Sequence, residues 1–107
     1  MGVGYFLRPY ARKGIDMAAG ISHERKYRIT YRFLHKMLRE LSVKGVVGKY
    51  QSWEIHGNHN GKFWQIWYSW GNMSNGESVG MCYVGVDGVG DHPMSDPVET
   101  LIKRLAA

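Results

Sequence analysis

Cysteine is almost missing: Cys82 stands alone among 107 residues, so neither an internal disulfide nor a cysteine-rich zinc site can form. A lone thiol suits a reducing compartment, and Cys82 reads as a small buried apolar residue. Long apolar runs are missing as well, and the opening MGVGYFLRPYARKG lacks the apolar stretch of a secretory signal. A soluble, unexported, cytoplasmic protein without membrane contacts is therefore expected. Phe6 stands where a myristoylation signal wants Ser or Thr. Proline is scarce, at 3 residues, and no segment is of low complexity, so a single domain is expected over 1–107, with 1–21 as an N-terminal arm. Acids are scarce at one end only. Residues 1–44 hold ten cations against three acids, whereas residues 45–107 hold four against six. Such asymmetry points to an anionic partner.

What is present reads as α+β. Ser22 is a plausible N-cap with Glu24 in the first turn, which places a long helix over about 22–42, ended by Gly45. Beyond it, 50–56, 63–70 and 79–86 are rich in β-branched and aromatic residues and separated by Gly/Asn clusters, which predicts three antiparallel strands. The first two would be joined by the loop 57–61 and the next two by 71–76. Asp96-Pro97-Val98-Glu99 carries an N-cap acid, a proline at the first helical position and a Glu behind it, so a C-terminal helix runs from there. The expected layout is a long amphipathic helix, a three-stranded antiparallel sheet and a C-terminal helix.

On that long helix Arg25, Arg28, Arg32, Lys36 and Arg39 recur every three or four residues and fall within a stripe roughly 80° wide. Tyr27, Tyr31, Leu34, Leu38 and Leu41 form a second stripe, expected to dock into the core while the cations face outward. Like charges at these spacings oppose helix formation, and only Glu24 and Glu40 lie among them. An external polyanion would relieve the repulsion. His59 and Lys62, at the tip of the first hairpin, would add a second phosphate contact.

Four tryptophans, Trp53, Trp64, Trp67 and Trp70, lie in the first hairpin. Strand alternation puts Trp64, Ile66, Tyr68 and Trp70 on one face and Phe63 and Trp67 on the other. Most are expected in the core, with Trp67 as the exposed aromatic contact. His56 and His59 supply only two imidazoles, and His23, His35 and His92 are scattered, so no metal site is expected. Asp87, Asp91 and His92 among Gly85, Gly88 and Gly90 match neither a phosphate loop nor an EF-hand and read as a connector into the last helix. No catalytic constellation or cofactor motif can be named, and no enzyme is expected.

The stretch 33–70 resembles the end of a winged-helix DNA-binding domain. Its helix ends Leu34-His35-Lys36-Met37-Leu38-Arg39-Glu40-Leu41 and passes through Lys44-Gly45-Val46-Val47 into a two-stranded wing with His59 and Lys62 at the tip. Gly20-Ile21-Ser22 resembles the turn before the recognition helix, but Asp16 stands where that motif favours a small residue, and a third strand and a helix follow the wing. The order α, β, β, β, α is also similar to double-stranded RNA-binding domains, in which His59 and Phe63 would reproduce an H-x-x-x-F spacing. There Asp96-Pro97-Val98-Glu99 replaces the Lys-Lys that opens the family's last helix. Neither resemblance assigns a family. Both imply a helix and a hairpin tip turned toward a nucleic-acid backbone.

The sequence thus predicts a small module that binds DNA or RNA along the phosphate backbone, duplex in preference to single strand. The alternative is a protein-binding or inhibitory module, of viral or mobile-element type, that docks its basic helix and exposed aromatics on an acidic partner surface.

Overall fold

Ser22 begins the first helix in an extended conformation (φ −65°, ψ 157°), and its side-chain oxygen accepts from the Arg25 N–H at 3.2 Å. That bond satisfies one of the donors a helix start leaves open. The computed structural model describes residues 20–90 and 96–107. Nearly all of the expected arm at 1–21, together with Asp91 and His92, lies outside the described residues. Helix α1 spans His23–Val43 and ends on glycine: Gly45 takes φ 86°, its N–H donates to the Ser42 carbonyl, and the Val46 N–H reaches back to the Leu41 carbonyl at 2.9 Å. This is a Schellman end, with buried Val46 and Leu41 as its apolar contact.

The buried side chains of α1 are Ile29, Thr30, Leu34, Met37 and Leu41. The expected apolar stripe is corrected here. Leu34 and Leu41 are core, but Leu38 is half-buried, and Tyr27 and Tyr31 are exposed by 40% and 44%. At 100° per residue the helix is rolled by roughly 70° from the sequence reading. A part-buried hydrogen bond accounts for the roll: the Trp70 indole N–H donates to Thr30 Oγ1 at 2.9 Å, and that hydroxyl donates to the Lys26 carbonyl at 2.8 Å. With its polar atom satisfied on both sides, Thr30 can be fully buried, and the two tyrosines stay partly in solvent.

Strands β1 (Lys49–Gln51), β2 (Glu54–His59), β3 (Lys62–Asn72), β4 (Ser78–Val86) and β5 (Val89–Gly90) form one antiparallel sheet in chain order. Three strands were expected; five are present among the described residues. The first expected strand is two, because Ser52 at φ 54° folds the chain into a turn between them. As far as Gly90, where the described residues stop, the stretch expected as a connector is instead a hairpin into β5, turned by Asp87-Gly88 at φ 51° and 82°, the left-handed pair such two-residue turns require. The loop expected over 57–61 shrinks to Asn60-Gly61 (φ 52° and 83°), so His59 pairs with Lys62. Gly57 lies inside β2 because the buried Trp64 ring occupies the space above it and above Gly48. The winged-helix alternative is also corrected: β2 and β3 have hydrogen-bonded neighbours on both outer sides, so the hairpin is the interior of a sheet and not a free wing.

Helix α2 (Pro97–Ala106) opens as expected, with Asp96 Oδ1 accepting from the Glu99 N–H at 3.1 Å and Pro97 in the first turn. Both helices cover the same sheet face. Ile55, Trp64, Ile66, Tyr68, Cys82 and Val84 meet Leu34, Met37 and Leu41 of α1 and Val98, Leu101 and Leu105 of α2 in one cluster. Full burial of a side chain of this size stabilises by about 1.5–3 kcal/mol, so this cluster holds α1 in its roll. No helix among the described residues is long and apolar enough to cross a membrane.

Candidate functional site

The fold leaves the far side of α1 in solvent. Arg25, Arg28, Arg32, Lys36 and Arg39 are all exposed there, and with a rise of 1.5 Å per residue they mark out a straight ridge about 21 Å long. Arg28 lies 3.6 Å from Glu24, a pair with side chains 67% and 87% exposed. Water and salt screen such a pair, which leaves the arginine available. Arg32, Lys36 and Arg39 form no ion pair with any described acid.

The described acids of the second part of the chain are engaged elsewhere. Glu54 lies 3.0 Å from His56 Nδ1, Glu77 accepts from the Asn75 amide at 3.1 Å, and Glu99 pairs with Lys103 at 3.1 Å. Asp96 caps α2, and Asp87 Oδ1 accepts from the Phe63 N–H at 2.9 Å, extending the β3–β4 ladder by one bond. Each serves a local hydrogen bond, so the fold does not spend them on the ridge.

Beside the cations runs a second ridge, whose two tyrosines were expected in the core. Tyr27, Tyr31 and His35 follow at four-residue steps and are backed by the β1–β2 turn. Trp53 meets the Tyr27 ring edge-on at 5.5 Å between centroids, and Tyr50 meets Tyr31 at 5.2 Å and His35 at 4.5 Å. His35 stacks on Tyr31 at 3.9 Å, and its Nδ1–H donates to the Tyr31 carbonyl at 2.9 Å, which leaves Nε2 as the free ring nitrogen. Burial, and then Tyr27 alongside, raise the Tyr50 hydroxyl above the ordinary phenol range, so it stays neutral. The signal for this flank was the four-residue step itself. It is shared by core stripes, which is why it was read as one.

The remaining expected site residues lie apart from the ridge. Lys62 donates from Nζ to the carbonyl oxygens of Leu105 at 3.3 Å and Ala107 at 2.6 Å, so its charge sits at the negative end of the α2 dipole. His59 pairs with it across the Asn60-Gly61 turn and is half-buried. Trp67 lies on the sheet face opposite the helices and stacks nearly parallel on Tyr83 (5.4 Å, 11°). Its indole rests over Gly85 and Gly90, where a Cβ would approach within 3.2 Å. Among the described residues no three His, Cys, Asp or Glu side chains converge as metal ligands. No protein-family model matches this chain, and neither a curated protein nor a solved structure matches it.

Proposed function

We propose that this chain is a nucleic-acid-binding module that grips the phosphate backbone of DNA or RNA with the basic face of α1, duplex in preference to single strand. One observation carries the reading: Arg32, Lys36 and Arg39 project from a docked helix and form no ion pair with any acid among the described residues. Repulsion along such a ridge opposes the helix by a few tenths of a kcal/mol per pair, and phosphates would remove that repulsion. The preference for duplex follows from stiffness. A helix held by its packed face presents fixed charges, and a duplex presents phosphates in a fixed row, so neither partner has to be ordered on binding. His59 at the hairpin tip supplies a second contact, and Lys62 joins it by exchanging the α2 carbonyls for phosphate.

The test is a salt titration of binding to a labelled duplex, read by fluorescence anisotropy. If all five ridge cations neutralise phosphates, log K should fall against log salt with a slope of about −4.5 on duplex DNA. A flat response removes the proposal. The second reading, a protein-binding or inhibitory module, draws on the exposed Tyr27 and Tyr31 beside the cations, since aromatic anchors with a charged rim suit an acidic protein surface. A protein captured from nuclease-treated lysate by the native chain but not by a ridge variant would favour it.

A further inference from the structure

We infer that the Tyr27–Tyr31 flank of α1 receives unpaired bases, so that the preferred ligand is a duplex carrying a single-stranded end. This rests on the nucleic-acid reading above and names the form of nucleic acid within it.

Three features converge on the flank. Tyr27 and Tyr31 expose 40% and 44% of their surface although six aromatic rings gather there, so ring area remains open after the cluster has formed. That area is held rigidly. Trp53 backs Tyr27, and Tyr50 and His35 back Tyr31, so much of the ordering cost of presenting a flat ring is met within the fold. Charge is complementary as well. Arg28 follows Tyr27 directly and precedes Tyr31 by three residues, while Arg32 follows Tyr31 and precedes His35 by three. Residues three or four apart on a helix are neighbours at about 5–6 Å between Cβ atoms, so a base lying on Tyr31 brings its own phosphate to Arg28, three residues before it. Of the acids of α1, Glu24 pairs with Arg28 only in open solvent, at 3.6 Å, and Glu40 stands near the far end of the helix.

Stacked rings beside cations are the means by which unpaired nucleotides are held without sequence preference. Interior base pairs cannot use the flank, because stacking covers both their faces within the duplex. The two ridges of α1 therefore divide the ligand: paired backbone on Arg32, Lys36 and Arg39, and the first unpaired nucleotides on Tyr27 and Tyr31.

The experiment compares the full chain on three labelled DNAs at equal salt: a blunt duplex, the same duplex with a few unpaired nucleotides at one end (each polarity in turn), and the single strand alone. One tailed duplex should bind about five- to a hundredfold more tightly than the blunt one. The double variant Tyr27→Leu/Tyr31→Leu should bind both duplexes with the blunt affinity and an unchanged salt slope, and Tyr31→Trp should keep the preference. A circular-dichroism melt confirms that each variant is folded. Equal binding of blunt and tailed duplexes, or equal weakening of both by the tyrosine substitutions, overturns the inference while leaving the phosphate reading in place. Salt-independent binding, or no binding to any of the three, overturns both. A native chain that sediments as a dimer and becomes monomeric in the double variant also overturns it, because the flank is then a self-association surface.

Discussion

Replacing Arg32, Lys36 and Arg39 with alanine should move stability and binding in opposite directions. The triple change removes three like-charge neighbours at helical spacing, Arg28 with Arg32, Arg32 with Lys36, and Lys36 with Arg39. Each costs about 0.2–0.5 kcal/mol, so roughly 1 kcal/mol of repulsion is relieved. Alanine is the best helix former and none of the three residues is ion-paired with a described acid, so only the attraction of Lys36 for Glu40, four residues on, offsets part of the gain. For a chain of this size, 1 kcal/mol corresponds to a rise in Tm of roughly 4–6 °C. Binding should weaken at the same time, the slope of log K against log salt becoming shallower by about 2.7 on duplex DNA. Thermal melting and anisotropy between about 50 and 200 mM salt measure the two effects on one preparation. A lowered Tm would mean that the ridge is part of the fold's own charge pairing, and an unchanged slope would mean that these cations touch no phosphate. Either outcome refutes the reasoning.

Two other perturbations probe the scaffold. Gly48→Ala places a Cβ 2.6 Å from the buried Trp64 ring and 2.9 Å from the His56 carbonyl oxygen, so it should destabilise by about 1–3 kcal/mol in urea unfolding while the salt slope of binding stays unchanged. Burial pushes the Cys82 thiol from 9.0 up to about 12, so the unfolded chain ionises first and the stability is complete below pH 9.0 and is lost as pH rises toward 12. Urea midpoints should therefore fall above pH 9.0, less so in Cys82→Ala, and a thiol reagent should label Cys82 only once the chain unfolds.

Most departures of the structure from the sequence reading concern packing. Tyr27 and Tyr31 share a helical step with Leu34 and Leu41, and periodicity cannot tell a core stripe from its neighbour when tyrosine could serve in either. Gly57 looked like loop because glycine usually marks one, yet here it marks the place where the Trp64 ring crosses the strand. Asp87-Gly88 is the exception, because the pair is a strong local signal for a two-residue hairpin turn and outweighs the surrounding glycines that suggest a connector. Lys62 shows the opposite limit. Its charge was visible, but its partners, the carbonyls of Leu105 and Ala107, lie more than forty residues away along the chain.

By itself the sequence determined what depends on near neighbours: the Ser22 and Asp96 caps, the glycine end of α1, the alternation along β3 and the row of five cations. Hydrogen bonds and side-chain periodicity act over a turn or two, so residues a few positions apart suffice to specify them. Tertiary structure alone decided how far α1 rolls on the sheet, through the Trp70–Thr30 bond and the shared cluster beneath it. That roll places the aromatic flank beside the arginines in solvent, because a helix has no preferred face until it meets a surface that fits one.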